Sequence, residues 1–547
     1  MTITPPPLPE ESNPEIIKNL SSRNPFFWHG KQPPLFLAPE SLAAMLLDFD
    51  QHIVLLEKDG QFFLTSEPSL STEVSDWKVM GYSGPFSPAS FGDPSFREVF
   101  GLQYPLYAGA MANGISSIEM VAALGQTGFM ASFGAGGLLP GVVEAAIHRV
   151  KETLNGNPYA FNLLNSPFEP ALEEQTVALY LNHQVRVIEA SAYLNITRNL
   201  AHYRAAGLSQ NNDGSIRIDN RIIAKVSRKE VAIKFLEPVS ADMANSLYEE
   251  GKINAEQARL ALLVPVADAI TVEADSGGHT DNRPLVGALP AIIRLRDSIQ
   301  AKRKYTRPVF IGAAGGIATP ESALAAFMMG AAYIVTGSIN QACVEAGASD
   351  HTRKLLGQAE MTDVAMAPAS DMFEMGVKVQ VLKRGTMFAM RAQKLFELYS
   401  RYESLDEIPD QESQKLESTI FKMSLNDVWK ECVKFFTSRD PGQIERAEKS
   451  PKAKMALVFR WYLGLSSRWS SIGEPGREMD YQVWCGPAMG SFNDWVKGTY
   501  LEQPENRRVA DVSMQILQGA AYLYRIHILE SHGLRFADGI KQYRPNS

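Results

Sequence analysis

Cysteine is scarce in this sequence: 547 residues contain three, Cys343, Cys432 and Cys485. They stand too far apart for a zinc-binding pattern and their odd number does not make a disulfide framework, so a reducing, cytoplasmic setting is expected. Basic charge is not in excess either. Lys and Arg number 53 against 61 Asp and Glu, a net charge of −8 that favours solubility and gives no whole-chain argument for nucleic acid. The uncharged stretch 120–143 holds Gly125, Gly128, Gly134, Gly136, Gly137, Pro140 and Gly141, a strand-and-turn composition that excludes a membrane-spanning helix. The opening MTITPPPLPEES lacks the basic start and apolar centre of a secretory signal, so residues 1–20 read as a flexible arm.

What is present is a composition that can build a core. Hydrophobic residues make up 45% and charged residues 21%, which excludes a disordered or collagen-like chain. Residues 21–95 read as a small α/β module, with Asp59-Gly60 between two apolar runs as a hairpin signal. Residues 96–386 alternate apolar β-like runs with capped helices. The strands are expected at 105–110, 129–133, 159–164, 187–191, 222–226, 269–274, 309–315 and 333–337, apolar on both faces as buried parallel strands are. Ser116-x-x-Glu119 and Ser227-x-x-Glu230 read as capping boxes, while Thr319, Pro320 and Gly330 frame a helix between the last two strands.

Eight such repeats predict an α/β fold, a (β/α)8 TIM barrel in preference to an open doubly wound sheet. An additional helical signature at Asn254 and Gln257 predicts an insertion, about 237–265, near the barrel mouth. Residues 387–547 are helical by pattern and carry five of the seven tryptophans, so they form a folded C-terminal region.

Barrel chemistry belongs at the strand C-termini. There the glycine-rich IGAAGGIATPES and VTGS provide Gly315, Gly316, Gly337 and Ser338, either as a phosphate cradle of open backbone N–H groups or as tight turns alone. His279 stands on a Gly277-Gly278 turn after strand six, suited to proton transfer or to contact with a bound ring; Asp275 and Asp281 either orient it or are solvated turn residues. Ala110, Met111, Asn162, Glu189, Ser191 and Lys225 lie at the other strand ends. Buried polar groups need partners, so Lys225 requires an anion, a ligand heteroatom or a structural ion pair, and Glu189 is open to the same two readings. The basic run 294–307 belongs to a helix heading toward the bottom of the barrel and reads as a solvated face.

The combination AGAMANG, FNLL, IIAKV, EADSGGH, GAAGGIATPES and VTGS resembles the FMN-dependent barrels of the nitronate monooxygenase and flavin enoyl reductase superfamily. The longer FNLLNSPFEPALEE, EADSGGHTDNRPLVGALP and MAPASDMFEMGVKVQVLKRGTMFAMRAQKLFELY resemble a narrower group, the PfaD-type trans-acting enoyl reductases of polyketide and polyunsaturated fatty-acid synthases. The resemblance implies FMN at the mouth: Ala110 and Met111 beside the ring, Asn162, Glu189 and Lys225 at its polar edge, Gly277, Gly278 and His279 flanking it, and the glycines of the last two strand ends with Ser338 on the phosphate. It implies catalysis by His279 and Lys225, NADPH as reductant, an enoyl chain on an acyl carrier protein as substrate, a synthase as partner and a homodimer. A nitronate monooxygenase-like oxidase and a non-catalytic docking protein of a synthase are the alternatives. An acidic carrier calls for a basic patch, to which Arg507-Arg508 is a candidate contributor.

Overall fold

Small and β-branched residues in short runs form eight parallel strands that pair until the last meets the first. They are β1 (Leu106–Ala108), β2 (Met130–Phe133), β3 (Ala160–Leu164), β4 (Val187–Ser191), β5 (Arg221–Val226), β6 (Ala269–Glu273), β7 (Phe310–Ala314) and β8 (Ile334–Thr336). Pairing of Ile334 with Leu106 closes the barrel. All eight expected strands are present in this computed structural model, which describes residues 26–165 and 170–545; the arm expected over 1–20 lies outside the described residues.

The interior changes character from bottom to mouth because every second strand residue points inward. The lowest layer is apolar, with Met130, Ala160, Val187, Ile223, Ala269 and Phe310 in one buried cluster. A helix ahead of the barrel, Pro94–Phe100, plugs this end: the Phe96 ring stacks on Tyr333 at 4.1 Å and meets Phe310 edge-on at 5.5 Å. Two residues further along, Glu189, Lys225 and Thr271 succeed Val187, Ile223 and Ala269. A barrel closed by aromatic packing below admits a ligand from the mouth.

Helices α1 (Ile118–Gly125), α2 (Pro140–Leu154), α3 (Pro170–Asn182), α4 (Arg198–Ala206), α5 (Lys229–Leu236), α6 (Ala241–Glu249), α7 (Ala255–Ala261), α8 (Leu285–Arg303) and α9 (Pro320–Met328) follow the strands. Thr319 caps α9 with Pro320 in its first turn, as the sequence predicts. Two other starts differ. Ser117, not Ser116, caps α1, and Ser116 Oγ instead accepts from the Met111 N–H and donates to the Gly109 carbonyl. Arg228 occupies the N-cap of α5 without a side-chain bond, while Ser227 Oγ donates to Asp281. Both hydroxyls are recruited to strand-end loops, so neither is free to cap. The insertion also differs in place. Asn254 and Gln257 cap α7 reciprocally, but Gln257 Nε2 donates to the carbonyl of Ala206, the last residue of α4. Helices in this fold run from mouth to bottom, so a segment added after α5 lies at the bottom, not near the mouth.

Between β8 and the C-terminal helices the chain forms β9 (Val364–Pro368) and β10 (Lys378–Leu382), an antiparallel pair extended by Gly278–His279. The helical region that follows is gathered around Asp480. This buried carboxylate pairs with Arg391 and Arg477 and accepts from Tyr462 Oη at 2.9 Å.

The described chain divides into two compact units, one of residues 26–90 with 514–544 and one of 91–513. Residues 514–544 thus join the N-terminal module, whereas the sequence assigns them to the helical region. That module is a six-stranded sheet whose hairpin, Ile53–Lys58 with Gln61–Thr65, turns at Asp59 and Gly60, both with positive φ as expected. Arg525 is fully buried in it and donates to the carbonyls of Met45, Leu46, Asp48 and Gln51, at and just beyond the end of the helix Pro39–Leu47, where a cation meets the negative end of the helix dipole. No helix among the described residues is long and apolar enough to cross a membrane.

Gly312 makes the barrel floor possible, since a Cβ there would lie 2.3 Å from the Tyr333 ring. Gly312→Ala is expected to cost about 1–3 kcal/mol of stability by overpacking, read from the shift in urea midpoint at unchanged m-value.

Candidate active site

Glu189 is fully buried in β4, and a carboxylate without water must be compensated. Both its oxygens accept from the Ala110 N–H at 3.2 Å, and Lys225 Nζ lies 3.8 Å away. Lys225 Nζ also pairs with Glu273 Oε1 at 3.0 Å. Burial pushes the Glu189 carboxyl above its usual range, against the opposing pull of Lys225 and the Ala110 amide. Burial pulls Lys225 down, but Glu273 and Glu189 outweigh it and hold the amine above its ordinary value, hence charged. The ion-pair reading of Lys225 is therefore realised, and its side chain still keeps 16% exposure at the mouth. Asn162 is fixed beside it: Nδ2 donates to the Glu189 carbonyl at 3.0 Å and to Ser191 Oγ at 2.9 Å. Thr271, in register with Lys225 on the neighbouring strand, bonds through Oγ1 to Tyr107 Oη at 3.2 Å and Tyr333 Oη at 2.9 Å, linking the charged layer to the aromatic floor.

His279 reaches the site by a different route. Its strand pairs with β10, and Nε2 lies 3.2 Å from Oδ1 of Asp371, in the loop between β9 and β10. Neither flanking aspartate orients it. Asp275 accepts from Asn282 and Gln380, and Asp281 is held by Ser227 and Arg228. Sequence reasoning missed Asp371 because it stands 92 residues from His279, and only an antiparallel strand pairing brings the two together. Burial lowers the imidazole pKa, but the hydrogen bond and charge of Asp371 outweigh it, so His279 titrates above its ordinary value. Both side chains remain about one-third exposed, His279 at 39% and Asp371 at 32%.

The glycines divide by role. Gly277 is pressed against the Cys485 backbone, where a Cβ would lie 2.8 Å from the amide nitrogen. Gly315, at positive φ, approaches the Ala274 carbonyl equally closely, so these two serve the turn. Gly278, Gly316 and Gly337 are different: a Cβ on any of them enters open space. Ser338 Oγ accepts from the Gly486 N–H at 3.0 Å, leaving its own proton to donate. The ends of β7 and β8 thus offer a small-residue cradle that fits a phosphate. Ala110 and Met111 are half-buried at the end of β1, with the Met111 N–H held by Ser116. Arg507 does not supply a docking patch. It is buried, donates to the Leu501 and Glu502 carbonyls and to Asn493, and packs on the Phe492 ring.

Residues 94–401 match the nitronate monooxygenase family, and residues 402–481 match the inserted helical domain of [acyl-carrier-protein] S-malonyltransferase. Among curated proteins, a component of the polyunsaturated fatty acid synthase of Thraustochytrium is 48% identical over 489 residues, covering 87% of this chain and 33% of that protein. The polyketide biosynthesis protein PksE of Bacillus subtilis is 46% identical over 435 residues, covering 79% of this chain and 56% of the relative. The chain therefore spans between a third and somewhat over half of these two relatives. Among solved structures, the enoyl reductase domain of MlnA from Bacillus amyloliquefaciens is 41% identical with a TM-score of 0.77, covering 81% of this chain and 99% of that domain.

Removing the charge of Asp371 while keeping its shape leaves burial as the dominant influence on His279. In Asp371→Asn the imidazole midpoint, followed by NMR of labelled histidine, is expected to fall below the wild-type value, which itself lies above the ordinary value of about 6.5. A midpoint unmoved by the substitution contradicts the pairing.

Proposed function

The chain belongs to the nitronate monooxygenase family, and from that premise we propose that it is a flavin-dependent enoyl reductase serving a polyketide or polyunsaturated fatty-acid synthase. Its substrate is an α,β-unsaturated acyl chain held as a thioester on an acyl carrier protein, and its reductant is NADPH. The observation that carries this reading is the Asp371-paired His279 at a mouth that also holds a charged lysine and an open glycine cradle.

The donor set fits FMN. Gly316, Gly337 and Ser338 would hold its phosphate, Ala110 and Met111 would lie beside the ring, and Asn162 and Lys225 would meet its polar edge, with Gly277 and Gly278 on the flank. Glu189 stands behind these groups, where it compensates Lys225 and fixes the Ala110 amide. FMN held by these residues would supply the hydride required at the β-carbon, with the nicotinamide as its reductant. His279 donates the proton that the α-carbon requires, and Asp371 holds the imidazole in its protonated, oriented form. Lys225 presents a fixed positive charge at the mouth, and the aromatic floor closes the other end of the barrel to solvent.

An oxygen-consuming oxidase would use His279 as a base. Pairing with Asp371 favours the imidazolium, the form that the donor role requires. The match of residues 402–481 to a helical domain of a carrier-protein transferase supports a carrier-borne substrate, as do the synthase relatives.

Two substitutions separate cofactor binding from proton donation. Gly337→Asp places a carboxylate in the open cradle and is expected to yield folded protein without flavin absorbance; full flavin content would show that the phosphate lies elsewhere. His279→Ala is expected to keep flavin and its reduction by NADPH, while reduction of a carrier-bound enoyl thioester slows by about 10²–10⁴-fold. Unchanged turnover would remove the donor role, and turnover only as oxygen consumption would favour the oxidase.

A further inference from the structure

Outside the barrel mouth, two of the enclosing helices bring three metal-ligating side chains together. Glu144 and His148 are four residues apart on α2 and share one of its faces. His183 follows the end of α3. Its imidazole Nε2 lies 2.8 Å from Glu144 Oε1, and its ring meets that of His148 edge to face, with centroids 4.8 Å apart and planes at 81°. One ligand atom from each residue lies within 4.8 Å of the other two.

We propose that Glu144, His148 and His183 form a binding site for a divalent transition-metal ion, with zinc as the preferred occupant. Tetrahedral zinc with bonds of about 2.0–2.2 Å sets its ligand atoms roughly 3.3–3.6 Å apart, so the 2.8 Å contact between His183 and Glu144 would open slightly and the wider spacings, all within 4.8 Å, would close. Two imidazoles and a single carboxylate suit zinc and its neighbours, whereas magnesium and calcium require oxygen-rich sites. An ion pair between Glu144 and His183 needs no third partner, yet His148 brings a second imidazole into the same space.

The scaffold behind the ligands is anchored. Val143, Ile147 and Val150 bury one side of α2, and Val177 and Tyr180 bury one side of α3. The turn carrying His183 is fixed at its backbone: its N–H donates to the Leu179 carbonyl, and its carbonyl accepts from Lys151 Nζ at 2.7 Å. Glu144 and His148 are exposed and His183 is partly so, leaving the fourth coordination position to water. A bound ion would brace α2 against α3, the two helices that follow β2 and β3. The site is independent of the flavin and enoyl reductase reading.

The test uses the full-length, tag-free protein after chelator treatment and dialysis. Titration with zinc chloride by calorimetry is expected to show one saturable site per chain, and cobalt is expected to give the visible absorption of a tetrahedral ion. His148→Ala and His183→Ala should each weaken zinc binding at least tenfold, and the double variant should abolish both the binding and the zinc-dependent rise in Tm. The circular dichroism and the metal-free Tm of the variants should match wild type, showing that they fold. Absence of saturable binding, or binding that either alanine variant leaves unchanged, overturns the site.

Discussion

A carboxylate with no access to water sits inside the barrel, and the arrangement of the mouth follows from compensating it. Glu189 engages the Ala110 N–H and Lys225, while Glu273 and Glu189 together keep Lys225 an ammonium ion in that setting. Removing one partner of such a buried group is costly, so the end of β1, the end of β5 and the end of β6 are held in mutual register by charge. The amide that binds the carboxylate is thereby aimed, and a fixed positive charge is presented to whatever enters from above. From this layer the Thr271 hydroxyl bonds those of Tyr107 and Tyr333, and the Tyr333 ring stacks on the Phe96 ring that seals the bottom.

A second constraint comes from outside the barrel. The strand pairing that carries His279 belongs to a small sheet built largely from β9 and β10, and the loop between them contributes Asp371. The Gly277 turn is pressed against the backbone at Cys485, so the segment after Asp480 shapes the same edge of the site. Segments beyond the barrel, from β9 to Cys485, thus help to shape the candidate site. A histidine on a two-glycine turn would otherwise have little to fix its orientation or its protonation.

What could be read in the sequence was what depends on local pattern. Strand positions followed from short apolar runs, the closing helix from Thr319 and Pro320, and the hairpin from Asp59-Gly60. Lys225 and Glu189 stood out as charges inside apolar strands, although the sequence alone left their partners open. What could not be read depends on contacts between distant segments. Asp371 is joined to His279 only through strand pairing, Ser116 and Ser227 are diverted from capping by loops, and Arg507 is drawn inward by carbonyls and an aromatic ring. The place of α6 and α7 is not legible in the sequence because a long β-to-β segment does not reveal on which side of its first helix the extra residues fall.

The central claim is that one chamber delivers a hydride from the reductant and a proton from His279 to opposite ends of the same double bond. It is tested most directly by an anaerobic single turnover of a carrier-bound enoyl thioester with deuterium-labelled NADPH in ordinary water, followed by mass spectrometric and NMR analysis of the released acyl group. Deuterium on the β-carbon with an unlabelled hydrogen added at the α-carbon is the predicted result. Deuterium at the α-carbon, or no product until oxygen is admitted, would contradict the account.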